Sequence, residues 1–261
     1  MREYWEKIYK TRYFWSHLAK NDLNARFRRS KLGILWLVLQ PFFLTIIMAI
    51  VFSTIFKQEL GEYALYILSG IVVWDLLTNS IIGGGSSIFG SEQYIRQFSH
   101  PITIYTLKYA LLNTVTFSIE LIALVLWVIV MKPINLVLAV WTVPLTIVFY
   151  FAIAWVLTTI AGYSNTKYRD YPQIMALVMQ AIWYVSPVFF KPELFLSSPI
   201  LSVWFQWNPI THVLNLVRDP FVNGQMPSPI SYLYDLGLIA ILGFWAYLVN
   251  RKNEKKIIFY F

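Results

Sequence analysis

The stretch RRSKLGILWLVLQPFFLTIIMAIVFSTIF (residues 28–56) begins with basic residues and continues as an almost unbroken apolar run. A helix needs roughly 20 apolar residues to cross the hydrocarbon core of a bilayer. Basic residues next to a span are typical of its cytoplasmic side. The stretch therefore predicts a transmembrane helix over 34–56 that enters the membrane from the cytoplasm.

Five further apolar runs have a similar length, and the loops between them alternate in basic content. The six predicted spans are 34–56, 63–82, 102–131, 134–162, 172–190 and 230–250. Of the 21 Lys and Arg residues, 17 lie in the N-terminal segment, in or beside every second loop, or after the last span; Lys57, Lys132, Lys191 and Arg218 lie on the other side. Cytoplasmic loops carry the excess of Lys and Arg. We predict an all-α polytopic membrane protein with both termini in the cytoplasm.

The N-terminal segment, residues 1–33, is predicted to be an amphipathic interface segment ahead of a six-helix transmembrane domain over 34–261. The net charge of +8 is concentrated beside the first span, where basic residues are attracted to anionic lipid. A membrane surface is therefore a better partner than nucleic acid. The basic cluster is either a topology anchor or a contact for an anionic lipid head group. It consists of Arg26, Arg28, Arg29 and Lys31.

Two connecting segments have unusual composition. Residues 91–98 predict a short amphipathic helix between spans, which is either a docking surface or a plain connection. Residues 191–229 are too apolar for an exposed loop, and their apolar pieces are too short to span. Such segments are tolerated at membrane depth where protein or a water-filled cavity satisfies the backbone. They predict short re-entrant or gate helices before the last span.

Several kinds of chemistry are missing from the sequence. No G-x-x-x-x-G-K-[ST] motif, no cysteine and no clustered histidine motif is present, so we expect neither nucleotide hydrolysis nor a metal site in this chain. Asp75 and Glu120 lie within spans, where acidic residues either serve proton coupling or make interhelical hydrogen bonds. Energy for any transport would come from a partner or a gradient.

Some aromatic residues lie within spans rather than at their ends, and five of them are candidates to line a pore. Their flat faces could stack on sugar rings that pass through a pore, or they could simply pack against lipid and protein. They are Phe42, Phe43, Trp74, Trp183 and Tyr184.

Three segments in order resemble the membrane subunits of type 2 ABC exporters for polysaccharides, which include the O-antigen and teichoic acid permeases. The first is residues 28–41, the second combines Tyr168-Arg-Asp170 with residues 183–190, and the third is Trp207-Asn-Pro-Ile-Thr211 followed by Arg218 and Gly224. The resemblance covers nearly the whole chain. It implies a multi-pass protein of the bacterial inner membrane that is not itself an enzyme.

The resemblance also implies partners. Two copies of the chain would form a homodimer driven by two separate ABC ATPase subunits, which would bind ATP and Mg, and the chain itself would need no cofactor. The cargo would be an undecaprenyl diphosphate-linked glycan that meets the basic cluster at the inner leaflet.

Finally, the resemblance assigns residues to roles. The implied ATPase contacts are Glu92, Gln93, Tyr94, Arg96, Phe98, Lys167, Arg169 and Asp170. The implied outer gate contains Leu194, Phe195, Trp204, Trp207, Asn208 and Pro209.

Three other functions stay open at this point. A relative of the same class could export a drug, haem or a simple lipid. A proton-coupled secondary transporter would use Asp75 and Glu120. A membrane-embedded glycosyl or prenyl transferase would form product with a metal.

Overall fold

The computed structural model describes residues 2–195 and 198–261, and the side chains of Leu194 and Phe195 lie outside the described set. The described residues form helices and short connections, with no strand among them. The α-helices are α1 (Arg2–Lys10), α2 (Arg12–Phe27), α3 (Trp36–Phe56), α4 (Leu60–Ile81), α5 (Ser86–Phe89), α6 (Glu92–Gln97), α7 (Thr103–Met131), α8 (Asn135–Lys167), α9 (Tyr171–Val185), α10 (Pro199–Trp207), α11 (Pro209–Arg218) and α12 (Pro229–Asn253). Short 3-10 turns cover Gly33–Leu35, Gly83–Gly85, Pro192–Phe195 and Glu254–Tyr260, and a π-turn covers Asp219–Asn223.

Five of the six predicted spans are confirmed as helices long and apolar enough to cross a membrane. Their bounds are Gly33–Phe56, Leu60–Gln97, Thr103–Met131, Asn135–Lys167 and Pro229–Asn253. The second of these includes the turns and short helices that follow α4. The chain is therefore an all-α, multi-pass membrane protein.

The predicted helix over 172–190 is shorter than expected, because α9 has only 15 residues and ends at Val185. At a rise of 1.5 Å per residue it is about 22 Å long, less than the roughly 30 Å of hydrocarbon. Ser186 precedes Pro187 and adopts an extended backbone with ψ of 147°, since a residue before proline avoids the helical region. Residues 186–190 continue the path without a helix.

Helix α4 is the central helix of the chain. Its residues from Tyr63 to Trp74 are all buried, and α3, α7, α8 and α11 pack around it. The most apolar part of the Leu60–Gln97 span is 72% buried, against 11% for the corresponding part of α12. Helix α12 is therefore peripheral, and its apolar surface faces lipid or another protein.

The N-terminal helices α1 and α2 are packed against the bundle. Ile8, Leu18 and Ala19 are buried, and Asp22 on α2 pairs with Lys108 on α7 at 2.8 Å. The division at residue 33 and the position of this segment at the membrane interface stay predictions.

Candidate functional site

Helix α6, the short helix predicted for residues 91–98, has less than two turns. It is exposed except for one buried side chain that holds it in place. Ile95 is buried, while Glu92 and Arg96 form an ion pair of 2.8 Å on the solvent side. Gln93 is exposed, as are the aromatic rings of Tyr94 and Phe98. The helix thus exposes polar and aromatic groups, while its own packing uses only one face.

Helix α6 is tied to the N-terminal helices and to α7. The ammonium group of Lys108 binds Asp22 at 2.8 Å and donates to the Ser91 hydroxyl at 3.4 Å, directly before α6. The Phe14 ring on α2 lies 6.3 Å from Tyr94 and 6.0 Å from Phe98, between ring centroids. A displacement of α6 would therefore reach both α2 and α7.

The second set of predicted ATPase contacts lies beside the first. The Arg169 guanidinium stacks 3.9 Å above the Phe89 ring and donates to the Tyr260 carbonyl at 3.3 Å. The Arg96 guanidinium lies 5.8 Å from the ring centroid of Phe261. Lys167 and Asp170 are exposed at the same turn. We call this surface the platform: Phe89, residues 92–98, residues 167–170 and residues 257–261.

The C-terminal part of the platform was not anticipated from the sequence. Ile257 is buried and anchors the segment, and Phe261 lies 6.5 Å from Phe89 between ring centroids. The sequence signal was the run IIFYF (residues 257–261) after the segment RKNEKK (residues 251–256), which holds four basic residues. Such a run is too apolar to be left free in water.

A buried hydrogen bond lies directly beside the platform. The Asn165 side-chain amide donates to the Gly85 carbonyl at 3.0 Å, and it connects the end of α8 to the turn that leads into α5. Tyr171, the first residue of α9, also lies against Gly85. The turn before α5, which ends at Phe89 of the platform, is therefore in contact with the start of the short helix α9.

A polar network fixes α1 to the same end of the bundle. The Tyr4 hydroxyl donates to Glu254 at 2.9 Å and lies 2.6 Å from the Thr103 hydroxyl. The Asn250 amide donates to the Tyr4 oxygen at 3.2 Å. Burial raises the pKa of Tyr4 to about 12, because a low-dielectric environment disfavours the phenolate. Tyr4 therefore stays protonated and remains a donor.

The basic cluster is exposed and spread along the turn between α2 and α3. Arg26 lies in the last turn of α2, and it is exposed, as are Arg28, Arg29 and Lys31. Among the described residues, none of the four is in an ion pair with an acidic side chain. Their charges are therefore available to an anion.

The five predicted pore aromatics divide into two groups. Trp74 is buried, and its ring meets Trp183 edge to face at 5.2 Å, while Phe42 lies 5.3 Å from Trp127. Phe43 and Tyr184 are 55% and 62% exposed. In this chain, Trp74, Trp183 and Phe42 pack, and only Phe43 and Tyr184 have rings open to a ligand or another subunit.

The predicted gate contains two short helices, α10 and α11, joined at Asn208. The Asn208 side chain accepts from the backbone N–H of Ile210 at 3.0 Å and donates to the Ser186 hydroxyl at 3.1 Å. Pro209 occupies the first position of α11, where its missing N–H is not needed. Asn208 therefore caps one helix and holds the point where α9 ends.

The two gate tryptophans both lie on α10, before that capped junction. Trp204 donates its indole N–H to the Val185 carbonyl at 2.8 Å. Trp207 is 68% exposed. We call residues 186–224 the gate segment.

Arg218 holds the non-helical part of the gate segment. It is 3% exposed and donates to the carbonyls of Pro187 and Val188 at 2.6 Å and 2.7 Å. Its guanidinium also lies 3.9 Å above the Tyr66 ring. Backbone groups that leave a helix at membrane depth need internal partners. Sequence reasoning counted Arg218 among the outer basic residues and did not find this role.

Two tyrosines on α4 complete the support of residues 187–190. The Tyr63 hydroxyl donates to the Phe189 carbonyl at 2.7 Å. The Tyr66 hydroxyl donates to the Phe190 carbonyl at 2.9 Å. The extended stretch after α9 is thus bound to the central helix by side chains from α4 and α11.

One buried acidic residue was missed by the sequence reasoning. Asp235 on α12 is fully buried, and neither of its carboxyl oxygens has a hydrogen-bond partner among the described residues. The charged form of such a group is costly when it is buried without a partner. No group of three or more metal-ligating side chains converges within the described residues.

The sequence is similar to known export permeases over most of its length. O-antigen export system permease protein RfbA of Klebsiella pneumoniae is 24% identical over 233 residues, which is 85% of each chain. The RfbA protein of Myxococcus xanthus is 21% identical over 92% of each chain. Polysialic acid transport protein KpsM of Escherichia coli is 21% identical over 92% of this chain and 93% of its own length.

A family profile matches as well. The profile described as ABC-2 type transporter covers residues 13–222, from the N-terminal helices through the gate segment. That range holds the first five predicted spans, most of the platform and Arg218. The chain belongs to the ABC-2 type transporter family.

Proposed function

We propose that this chain is the transmembrane subunit of an ATP-driven exporter that moves a lipid-linked polysaccharide out of the cytoplasm. The supporting observation is its similarity, over 85% to 92% of its length, to permeases named for O-antigen export and polysialic acid transport. The chain contains no P-loop motif, so a separate ATPase subunit would supply the energy.

In this proposal the platform is the ATPase contact. Its protruding groups are the Glu92–Arg96 pair, Tyr94 and Phe98, and Arg169 stacked on Phe89 extends the surface. ATP and Mg would bind to the partner and not to this chain. Two copies of the chain would face two ATPases, in the bacterial inner membrane with both termini in the cytoplasm.

Motion would pass from the platform to the gate segment along α9. Tyr171 at the start of α9 touches Gly85, next to the platform, and the far end of α9 meets Trp204 and Asn208. A 15-residue helix between the two would transmit a displacement as a rigid element. Opening would then move α10 and α11 relative to α4.

The substrate would be recognised in two stages. The diphosphate of an undecaprenyl-linked glycan would meet the basic cluster. None of its four residues forms an ion pair with an acidic side chain among the described residues. The sugar chain would then slide past exposed aromatic rings such as Phe43 and Tyr184. Weak repeated contacts favour movement, since tight sites would trap the polymer.

The first experiment is co-purification of the tagged chain with the ABC ATPase of its own organism, followed by ATP turnover and export assays. We expect a stable complex in which the double substitution E92A/R96A uncouples turnover from export. The matched control is E6A/K10A, because Glu6 and Lys10 form another exposed pair four residues apart, of 2.7 Å, in α1. Transport without any ATPase, or equal loss in both double variants, would contradict the proposal.

A second experiment tests the basic cluster. R28A/R29A should lower the amount of surface glycan while the protein remains in the membrane, because the diphosphate would lose two cationic partners. The readout is quantitative surface-glycan staining, normalised to membrane protein. Unchanged glycan would remove these residues from the substrate path.

A further inference from the structure

A slot between α1, α8 and α12 lies at the platform end of the bundle. Its volume is about 570 Å³, and its walls include Trp5, Trp155, Val156, Ile239, Gly243 and Ala246. It is separate from the platform, the basic cluster and the gate segment, and the proposed transport mechanism does not use it.

The slot is polar at one end and apolar along the rest. Tyr4, Asn250 and Arg251 lie at the polar end, where α12 leaves the bundle. Towards the middle of α12 the walls become Val156, Ile239 and Ala246. A gradient of this kind, parallel to a membrane-spanning helix, matches a molecule with a polar head and a hydrocarbon tail.

Gly243 keeps the slot open. A Cβ built on Gly243 would meet only Val156 Cγ2, at 3.8 Å, so the space beside this residue is unfilled. Any larger side chain at 243 would project into that space.

One charged group at the slot lacks a partner among the described residues. Arg251 is exposed and is in none of the described ion pairs. Glu254, which also borders the slot, already accepts from Tyr4 and from the Ile102 N–H at 3.1 Å.

We propose that this slot binds one acyl chain of a glycerophospholipid, with the phosphate on Arg251. A phosphate suits the guanidinium fork of an arginine. The apolar walls would contact the acyl tail, and the tail would fill the space beside Gly243.

The test is native mass spectrometry of the full-length chain, purified, delipidated and titrated with phosphatidylglycerol. We expect G243L to retain one tightly bound lipid fewer than the wild type. The matched control is G237L on the same helix, because a Cβ added to Gly237 would meet nothing within 4 Å and Gly237 does not border the slot. Equal lipid retention in G243L and the wild type would overturn the proposal.

A second pair of variants tests the head group and does not depend on how G243L folds. R251Q should weaken retention of phosphatidylglycerol at least several-fold, whereas K252Q, at the neighbouring residue outside the slot, should not. Undecaprenyl phosphate and inorganic phosphate are the competing probes. If either one displaces phosphatidylglycerol, or if R251Q and K252Q behave alike, the phospholipid assignment is wrong.

Discussion

The gate segment and the platform, at opposite ends of α9, are held by different kinds of interaction. In the gate segment, buried side chains donate to backbone carbonyls: Arg218 to Pro187 and Val188, and Tyr63 to Phe189. In the platform, exposed rings and charges meet one another, as in Arg169 on Phe89. The first is a set of short, desolvated bonds, and the second is a set of open contacts.

The difference follows from the surroundings of each end. Non-helical backbone at membrane depth has no water to satisfy it, so its carbonyls require protein donors. The platform is polar and exposed, and its contacts each contribute about 1 kcal/mol or less. A surface of this kind can exchange its contacts for those of a partner at low cost, whereas the gate segment cannot lose a donor without destabilisation.

The largest expected effect is from Arg218→Met. It removes the donors to two buried carbonyls, and each unsatisfied group costs about 1–3 kcal/mol. We therefore expect a loss of roughly 3 kcal/mol or more, measured as a lower midpoint of thermal unfolding in detergent. Arg28→Met is the control, because Arg28 is exposed. Equal midpoints for the two variants would mean that the gate segment is held in another way.

Gly70→Ala tests the same contact from the α4 side. A Cβ at Gly70 would collide with the Val188 carbonyl oxygen and lie 2.8 Å from Arg218 Nη2. Overpacking of this kind costs about 1–3 kcal/mol, so the unfolding midpoint should fall. Gly237→Ala, with open space around its Cβ, should not lower it. A tolerated Gly70→Ala would show that residues 187–190 can move away from α4.

Asp235→Asn should change stability in the opposite direction. Asp235 is fully buried with neither oxygen partnered among the described residues, and an amide of the same shape removes the penalty for a buried charge. We expect a gain of up to about 1 kcal/mol at neutral pH, measured as the unfolding midpoint. A strong loss would indicate that the carboxylate has a charged partner in the assembled transporter.

Phe89→Ala should affect function more than stability. It removes the ring under Arg169, an exposed cation–π contact that contributes about 0.5–1 kcal/mol. We expect a folded protein that exports less per ATP hydrolysed, measured on the complex with its ATPase. Phe244→Ala is the control, because Phe244 on α12 is 64% exposed and lies outside the platform. If both variants export alike, the ring under Arg169 does not contribute to coupling.

The smallest expected stability effect is that of E92A/R96A. An exposed ion pair four residues apart on a helix stabilises it by about 0.3–0.5 kcal/mol, so the unfolding midpoint of the chain alone should barely move. A large fall would mean that α6 contributes to the fold itself and is not primarily a contact surface.

Much of the fold could be predicted from the sequence. The prediction that differs most from the structure is the helix over 172–190, and the difference has a local cause. Residues 172–190 read as a full span because they are apolar, but apolarity does not report that Ser186 before Pro187 leaves the helix. The prediction of short helices before the last span is confirmed by α10 and α11. Both helices lie in a segment whose composition is too apolar for an exposed loop, and this composition was the basis of the prediction.

The residues of the candidate site could be predicted only in part from the sequence. The basic and aromatic character of residues 92–98 and 167–170 was visible, but the segment that joins them, residues 257–261, is distant in sequence. Arg218 was visible as one basic residue in an apolar segment. Its partners, Pro187 and Val188, are about 30 residues away, and no spacing rule connects them.

The sequence by itself determined the class of molecule, because membrane crossing depends on the length of apolar runs and the side on which Lys and Arg lie, and both are local properties. Only the tertiary structure decided which end of α9 is held by buried donors, which aromatics pack and which stay open, and where a slot remains beside Gly243. Those features depend on distances between residues far apart in the chain, and packing sets such distances only after the helices have assembled.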